Sequence, residues 1–98
     1  MMIETSKNGQ EVVLTVSGRL DTTTAPALDK TIGGLSTDVT SLILDLTGLE
    51  YISSAGLRVI LLAQKKMQAI GSMLVRNVRE EIMDVFEMTG FADILTIE

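Results

Sequence analysis

The segment Ser41-Leu42-Ile43-Leu44-Asp45-Leu46 is almost continuously apolar. Such a run suits a central strand covered on both faces, with neighbouring strands on both edges. The rest of the chain must therefore supply those strands and the layers above and below them. It has 98 residues to do so, and only 3% of them are aromatic, so Leu, Ile, Val and Met fill the core. A chain of this length buries roughly 60–65% of its unfolded surface, enough for one core. Residues 1–98 are thus expected to form a single domain.

The flanking punctuation defines the other elements. Met2 to Ser6 reads as a strand, Lys7-Asn8-Gly9-Gln10 as a turn, and the β-branched run Val12 to Ser17 as its antiparallel partner. Gly18-Arg19-Leu20-Asp21 is expected to leave the sheet. Thr24-Ala25-Pro26 opens a helix with Leu28 and Ile32 on its apolar face, and Gly33-Gly34 ends it with a left-handed cap. Leu49 to Ile52 is short and apolar. A second helix runs from about Ala55 to Ile70 and closes at Gly71, a strand follows over Met73 to Val78, and a third helix covers Arg79 to Met88 up to Gly90. Phe91 to Ile97 holds a last short strand or tail. The alternation predicts an α/β fold: a small mixed sheet of four to five strands, opened by a hairpin and flanked by three helices.

Composition narrows the chemistry. Histidine and cysteine are both absent. That removes Ser-His-Asp triads, thiol nucleophiles, disulfides and Cys/His metal sites. The net charge of −5 lacks the basic footprint of a nucleic-acid module. It fits better a protein partner with basic contact residues. No apolar stretch approaches the ~20 residues of a transmembrane helix, and the N-terminus has no signal-peptide pattern. A cytoplasmic location is expected. No Walker or dinucleotide glycine loop is present. Asp21, Asp45 and Glu50 match no metal-binding loop and read as solvated carboxylates. No cofactor is implied.

The most informative stretch is Leu44-Asp45-Leu46-Thr47-Gly48-Leu49-Glu50-Tyr51-Ile52-Ser53-Ser54-Ala55-Gly56-Leu57-Arg58. It leads from a buried strand to two serines at a helix start. Serine is a preferred N-cap, and the free amides and positive dipole end of a helix favour an anion there. Gly56 would let a bulky group approach the backbone. Neither serine has a glycine two residues before it, so no nucleophile elbow forms. Lys65 and Lys66 lie about three turns away, too far to act as a base. The residues alone thus define a capped helix able to hold an anion.

With these motifs in place, the chain resembles the anti-sigma factor antagonists, the bacterial STAS domains, over essentially its whole length. Gly18-Arg19-Leu20-Asp21 resembles the family's G-x-L-D element, and Leu42 to Leu46 its central strand. Ile52-Ser53-Ser54-Ala55-Gly56-Leu57 resembles the D-S-[ST]-G-L signature, and Met88-Thr89-Gly90-Phe91 the M-[ST]-G-[LF] element. The resemblance implies a binding module, not an enzyme. Unphosphorylated, such a protein binds an anti-sigma factor that is also a serine kinase of the histidine-kinase-like ATPase fold, and so frees a sigma factor. A PP2C-type phosphatase resets the cycle. Lined up on Gly56, the phosphoacceptor falls on Ser54, the signature aspartate on Ser53, and the second Ser/Thr on Ala55. The missing aspartate makes Ser53 a candidate second acceptor. It also keeps open an alternative, a non-phosphorylated scaffold or sensory subunit of a larger signalling or transport assembly. Asp21 matches the family's other acidic position and is a candidate partner contact.

On the second helix, Val59, Ile60, Ala63, Met67 and Ile70 form the expected core face. Leu57 and Leu61 fall beside Arg58, Gln64, Lys65 and Gln68. That placement predicts a docking surface of Ser53, Ala55, Gly56, Leu57, Arg58 and Leu61 around Ser54. Arg58 could instead pair with Glu50.

Overall fold

The computed structural model describes residues 1–98. Strands β1 (Met2–Asn8) and β2 (Glu11–Leu20) form the expected antiparallel hairpin, from Met2 opposite Ser17 to Asn8 opposite Glu11. Gly9 and Gln10 make the loop. Gly9 takes the positive φ, +63°, while Asn8 stays in the strand. Helix α1 (Ala25–Gly33) carries Pro26 in its first turn and buries Ala25, Leu28 and Ile32. Its closing residue Gly34 has φ −88°, so the helix ends without the left-handed cap that the glycine pair suggested.

Four elements follow: β3 (Ser41–Asp45), β4 (Leu49–Ile52), α2 (Ser54–Ile70) and β5 (Ser72–Arg76). Helix α3 (Glu80–Thr89) then ends at Gly90 in the left-handed conformation, and a 3₁₀ turn spans Phe91–Asp93. The sheet order is β1-β2-β3-β5, with β3 parallel to β2 and to β5. Ile97 adds an isolated parallel bridge to Val75. No helix is long and apolar enough to cross a membrane.

Strand β4 also pairs with β2, parallel, at the end that β3 does not reach. This corrects the reading of Gly18 to Asp21 as a segment leaving the sheet. β2 runs on to Leu20, and Arg19 and Leu20 lie opposite Tyr51 and Ile52 after a register shift at Gly18. The glycine and the following aspartate looked like turn residues. The non-local ladder with β4 carries the strand through the glycine to Leu20, and the chain turns only at Asp21.

One core cluster joins Leu14, Val16 and Leu20 of β2 to Leu42 and Leu44 of β3, Leu49 of β4, Ile60 of α2 and Phe86 of α3. Ile43 is buried but lies outside that cluster, on the opposite face, in a cross-strand row with Val13 and Leu74. β3 is thus central, as expected, with the helix-backed core on one face and this short aliphatic row on the other.

Helix α2 buries Val59, Ile60, Ala63 and Met67 of the expected core face, but that face is wider than expected. Gly56, Leu57, Val59, Ile60, Ala63, Gln64 and Met67 are buried, and Ile70 is half exposed at the helix end. Leu57 belongs to the core and not to a solvent-facing patch. Gly56 is buried as well. A Cβ there would lie 2.7 Å from Leu20 Cγ and 3.0 Å from Ile52 Cγ1. Its missing side chain lets α2 settle on the ends of β2 and β4; it does not open the backbone to a partner. Gly56 and Leu57 therefore leave the expected docking surface.

Candidate functional site

The site is built where β2 and β4 end together. The Ser53 N–H donates to the Leu20 carbonyl at 2.9 Å, tying the start of α2 to the last residue of β2. Ser53 has extended backbone (φ −97°, ψ 174°) and is the N-cap: its Oγ accepts from the Gly56 N–H at 3.4 Å. Its carbonyl accepts from the Leu57 N–H at 2.9 Å, the first helical bond. Ser53 is half-buried and its hydroxyl already serves the helix. Ser54 follows as the first residue of α2, exposed, and its hydroxyl makes no hydrogen bond within the chain. The two adjacent serines thus have different environments, one holding the helix end and the other facing solvent.

From Ser54 an exposed stripe descends α2 at helical spacing. Ser54, Arg58 and Lys65 are exposed and Leu61 is half-buried, at positions i, i+4, i+11 and i+7. Arg58 forms no ion pair with Glu50 or any other carboxylate; the chain's ion pairs are Lys7–Asp38, Arg19–Asp21 and Arg76–Asp45. Ala55 is half-buried beside the core.

Asp21 lies just past the end of β2 and organises the entry to α1. Its Oδ1 accepts from the Thr23 hydroxyl at 2.7 Å, the Thr23 N–H at 3.0 Å and the Thr24 N–H at 3.2 Å. Its own N–H donates to Thr24 Oγ1 at 2.8 Å. The Thr23 hydroxyl, foremost, and the other donors hold the carboxyl below the usual carboxylate range against the opposing effect of burial. Asp21 is therefore first a turn residue. Its other oxygen faces Arg19, with Nε 3.7 Å away.

Arg19 and Tyr51 were not singled out from the sequence. The guanidinium of Arg19 lies over the Tyr51 ring, 4.1 Å from its centroid, on adjacent strands that end at the serines. The signal that would have found them is the pairing of β2 with β4, which no local pattern encodes.

Asp45 differs from the solvated carboxylate expected. Its Oδ1 accepts from Thr47 Oγ1 at 2.6 Å and Thr47 N–H at 3.0 Å. Its Oδ2 accepts from Arg76 Nε at 3.2 Å and Asn77 Nδ2 at 3.1 Å. It locks together the loops after β3 and β5.

The comparisons agree with this architecture. The STAS domain model matches residues 2–98. BtrV of Bordetella bronchiseptica, named as an anti-sigma factor antagonist, is 41% identical over 56 residues; the match covers 56% of this chain and about half (48%) of that protein. The anti-sigma-B factor antagonist of Bacillus subtilis is 26% identical over 96 residues, covering 97% of this chain and 88% of that one. Among solved structures, an anti-sigma factor antagonist from Mycobacterium paratuberculosis superimposes with a TM-score of 0.88 at 25% identity, over 98% of this chain and 83% of that one. A match along nearly the whole chain, on a sheet and helices of the same arrangement, places this protein in the STAS domain family.

Proposed function

We propose that this chain is an anti-sigma factor antagonist whose switch is Ser54. Unphosphorylated, it binds an anti-sigma factor that is also a serine kinase of the histidine-kinase-like ATPase fold, and so releases a sigma factor. Phosphorylation of Ser54 ends the binding, and a PP2C-type phosphatase restores it. On this reading the chain is a cytoplasmic binding module and not an enzyme.

The observation that carries the proposal is the exposed, unengaged hydroxyl of Ser54 at the first position of α2. A kinase must reach its acceptor oxygen, and the neighbouring Ser53 oxygen is already a cap. The functions named for BtrV and the Bacillus subtilis relative support the same reading. A phosphate there adds roughly −1.5 to −2 charge. A helix N-terminus favours that charge, so the switch acts by charge and bulk on the contact surface rather than by unfolding. The surface proposed to meet the partner comprises Asp21, Ser53, Ser54, Ala55, Arg58 and Leu61.

Ser53 in place of the family's aspartate favours a second reading, a STAS scaffold that is never phosphorylated. Incubation with ATP and a serine kinase of this class, followed by mass spectrometry of the peptide containing Ser53 and Ser54, separates the two. Phosphate on Ser54 is expected. An unmodified peptide, with a kinase that modifies another antagonist in the same assay, would reject the switch.

A further inference from the structure

The strand ends beside Ser54 carry a cation that the fold holds in place without hydrogen-bonding it. The Arg19 side chain is 61% exposed, yet its guanidinium is stacked 4.1 Å from the centroid of the Tyr51 ring. Its Nε stands 3.7 Å from Asp21 Oδ2, beyond hydrogen-bond distance, and the Arg19 side chain donates to no group in the chain. Tyr51 is itself 41% exposed, a large amphipathic ring on the surface. Most surface arginines lose side-chain freedom when they bind. This one is already confined by a ring face, which lowers that cost while leaving its N–H fork open.

The position gives the pair its meaning. Arg19 lies opposite Tyr51 in the ladder, and Leu20 opposite Ile52. The next residue, Ser53, is bonded to Leu20, and Ser54 follows. A macromolecule that covers the Ser54 hydroxyl and reaches over the ends of β2 and β4 to their outer face meets the Arg19–Tyr51 pair, Tyr51 lying three residues before Ser54. Asp21 Oδ2 pairs with Arg19 only through Nε, at 3.7 Å and without a hydrogen bond, and Glu50 forms no ion pair with it, so the terminal N–H groups of the fork stay open.

We propose that Arg19, pre-organised on Tyr51, is the anchor that receives a carboxylate of the protein bound over Ser54. An open guanidinium fork matches a carboxylate in bidentate geometry, and arginine and tyrosine are the residue types that concentrate binding energy at interfaces. The local contact thus runs opposite to the chain's net charge of −5, which alone suggested a basic partner surface. The inference rests on the proposed function, because it takes the partner to be the anti-sigma kinase.

The test titrates the wild-type chain and its variants against a panel of purified anti-sigma kinases of the histidine-kinase-like fold from the source organism. For the kinase that binds wild type, Arg19→Ala is expected to weaken Kd at least tenfold, and Arg19→Lys by less. Tyr51→Leu is expected to weaken it several-fold by freeing the guanidinium. Arg19→Glu is expected to bind worst, and one acidic-to-arginine exchange on the kinase to recover part of the loss. Thermal melts check that each variant folds. Wild-type binding with Arg19→Ala within twofold of it overturns this inference and leaves the proposed function standing. So does an Arg19→Ala effect seen only after Ser54 is phosphorylated, which would make Arg19 a phosphate ligand instead. If no kinase binds wild type, the proposed function fails and the inference with it.

Discussion

Gly56 packs directly on Leu20: an added Cβ would stand 2.7 Å from Leu20 Cγ, and Leu20 is fully buried. The first turn of α2, which presents Ser54, is therefore seated on the last residue of β2. Gly56→Ala gains helix propensity, about 1 kcal/mol at most. It also forces Leu20 or the helix to move, and overpacking of this kind costs about 1–3 kcal/mol. The expected outcome is a net loss of stability in denaturant titration, with a lower midpoint and an unchanged slope.

Ser53 and Ser54 are expected to respond differently to substitution. Ser53→Ala removes the N-cap and should cost about 0.5–2 kcal/mol. The 3.4 Å length of its bond to the Gly56 N–H points to the lower part of that range. Ser54→Asp places a negative charge in the first turn, where the helix dipole stabilises it by about 0.3–1 kcal/mol. Thermal melts should show a lowered Tm for Ser53→Ala, and an unchanged or slightly raised one for Ser54→Asp. A collapsed fold in Ser54→Asp would contradict a switch that acts through the contact surface.

Much of this arrangement was legible locally. The β-branched run at Val12, the Pro26 helix start, the Ser-Ser cap and the left-handed Gly90 each follow from backbone preferences of the residues involved. What stayed hidden depends on non-local contacts. The end of β2 reads as a turn until β4 pairs with it. The buried face of α2 reaches Leu57 and Gln64 because its first turn rests on two strand ends, Leu20 and Ile52, which a helical wheel does not contain. Arg19 and Tyr51 are 32 residues apart and meet only through that same ladder. Asp45 looked like a surface carboxylate because its partners Arg76 and Asn77 arrive with β5.

Gly71 presents a sharper version of the Gly56 constraint. It follows α2, and a Cβ there would run into the Thr40 carbonyl, which accepts from the Ser72 N–H at 2.9 Å. The obstacle is backbone at the start of β3, not the end of a flexible side chain. Gly71→Ala should therefore cost more than Gly56→Ala, because helix α2 or the β3–β5 ladder must shift. Comparing the two variants in the same denaturant series tests the order; equal losses would show that the backbone at Thr40 yields freely.

Asp45 gives the fold an acid limit with a definite sign. Burial pushes its carboxyl up, but the bonds from Thr47, Arg76 and Asn77 together outweigh this and hold it below its ordinary value of 3.8. A carboxylate whose folded pKa is lowered binds fewer protons in the folded state than in the unfolded one near that value. Its stabilisation is complete above the unfolded value and is lost as pH falls from there through the lowered folded one. Stability should thus fall below about pH 4 as the group protonates. Asp45→Asn keeps the shape but loses the charge and one acceptor, and should cost about 1–3 kcal/mol at neutral pH. The difference between wild type and variant should narrow on acidification, as wild type loses what the variant already lacks. Urea midpoints from pH 7 down to pH 3 measure this directly. A gap that stays constant across that range would show that the cost comes from packing and not from the ionised carboxylate.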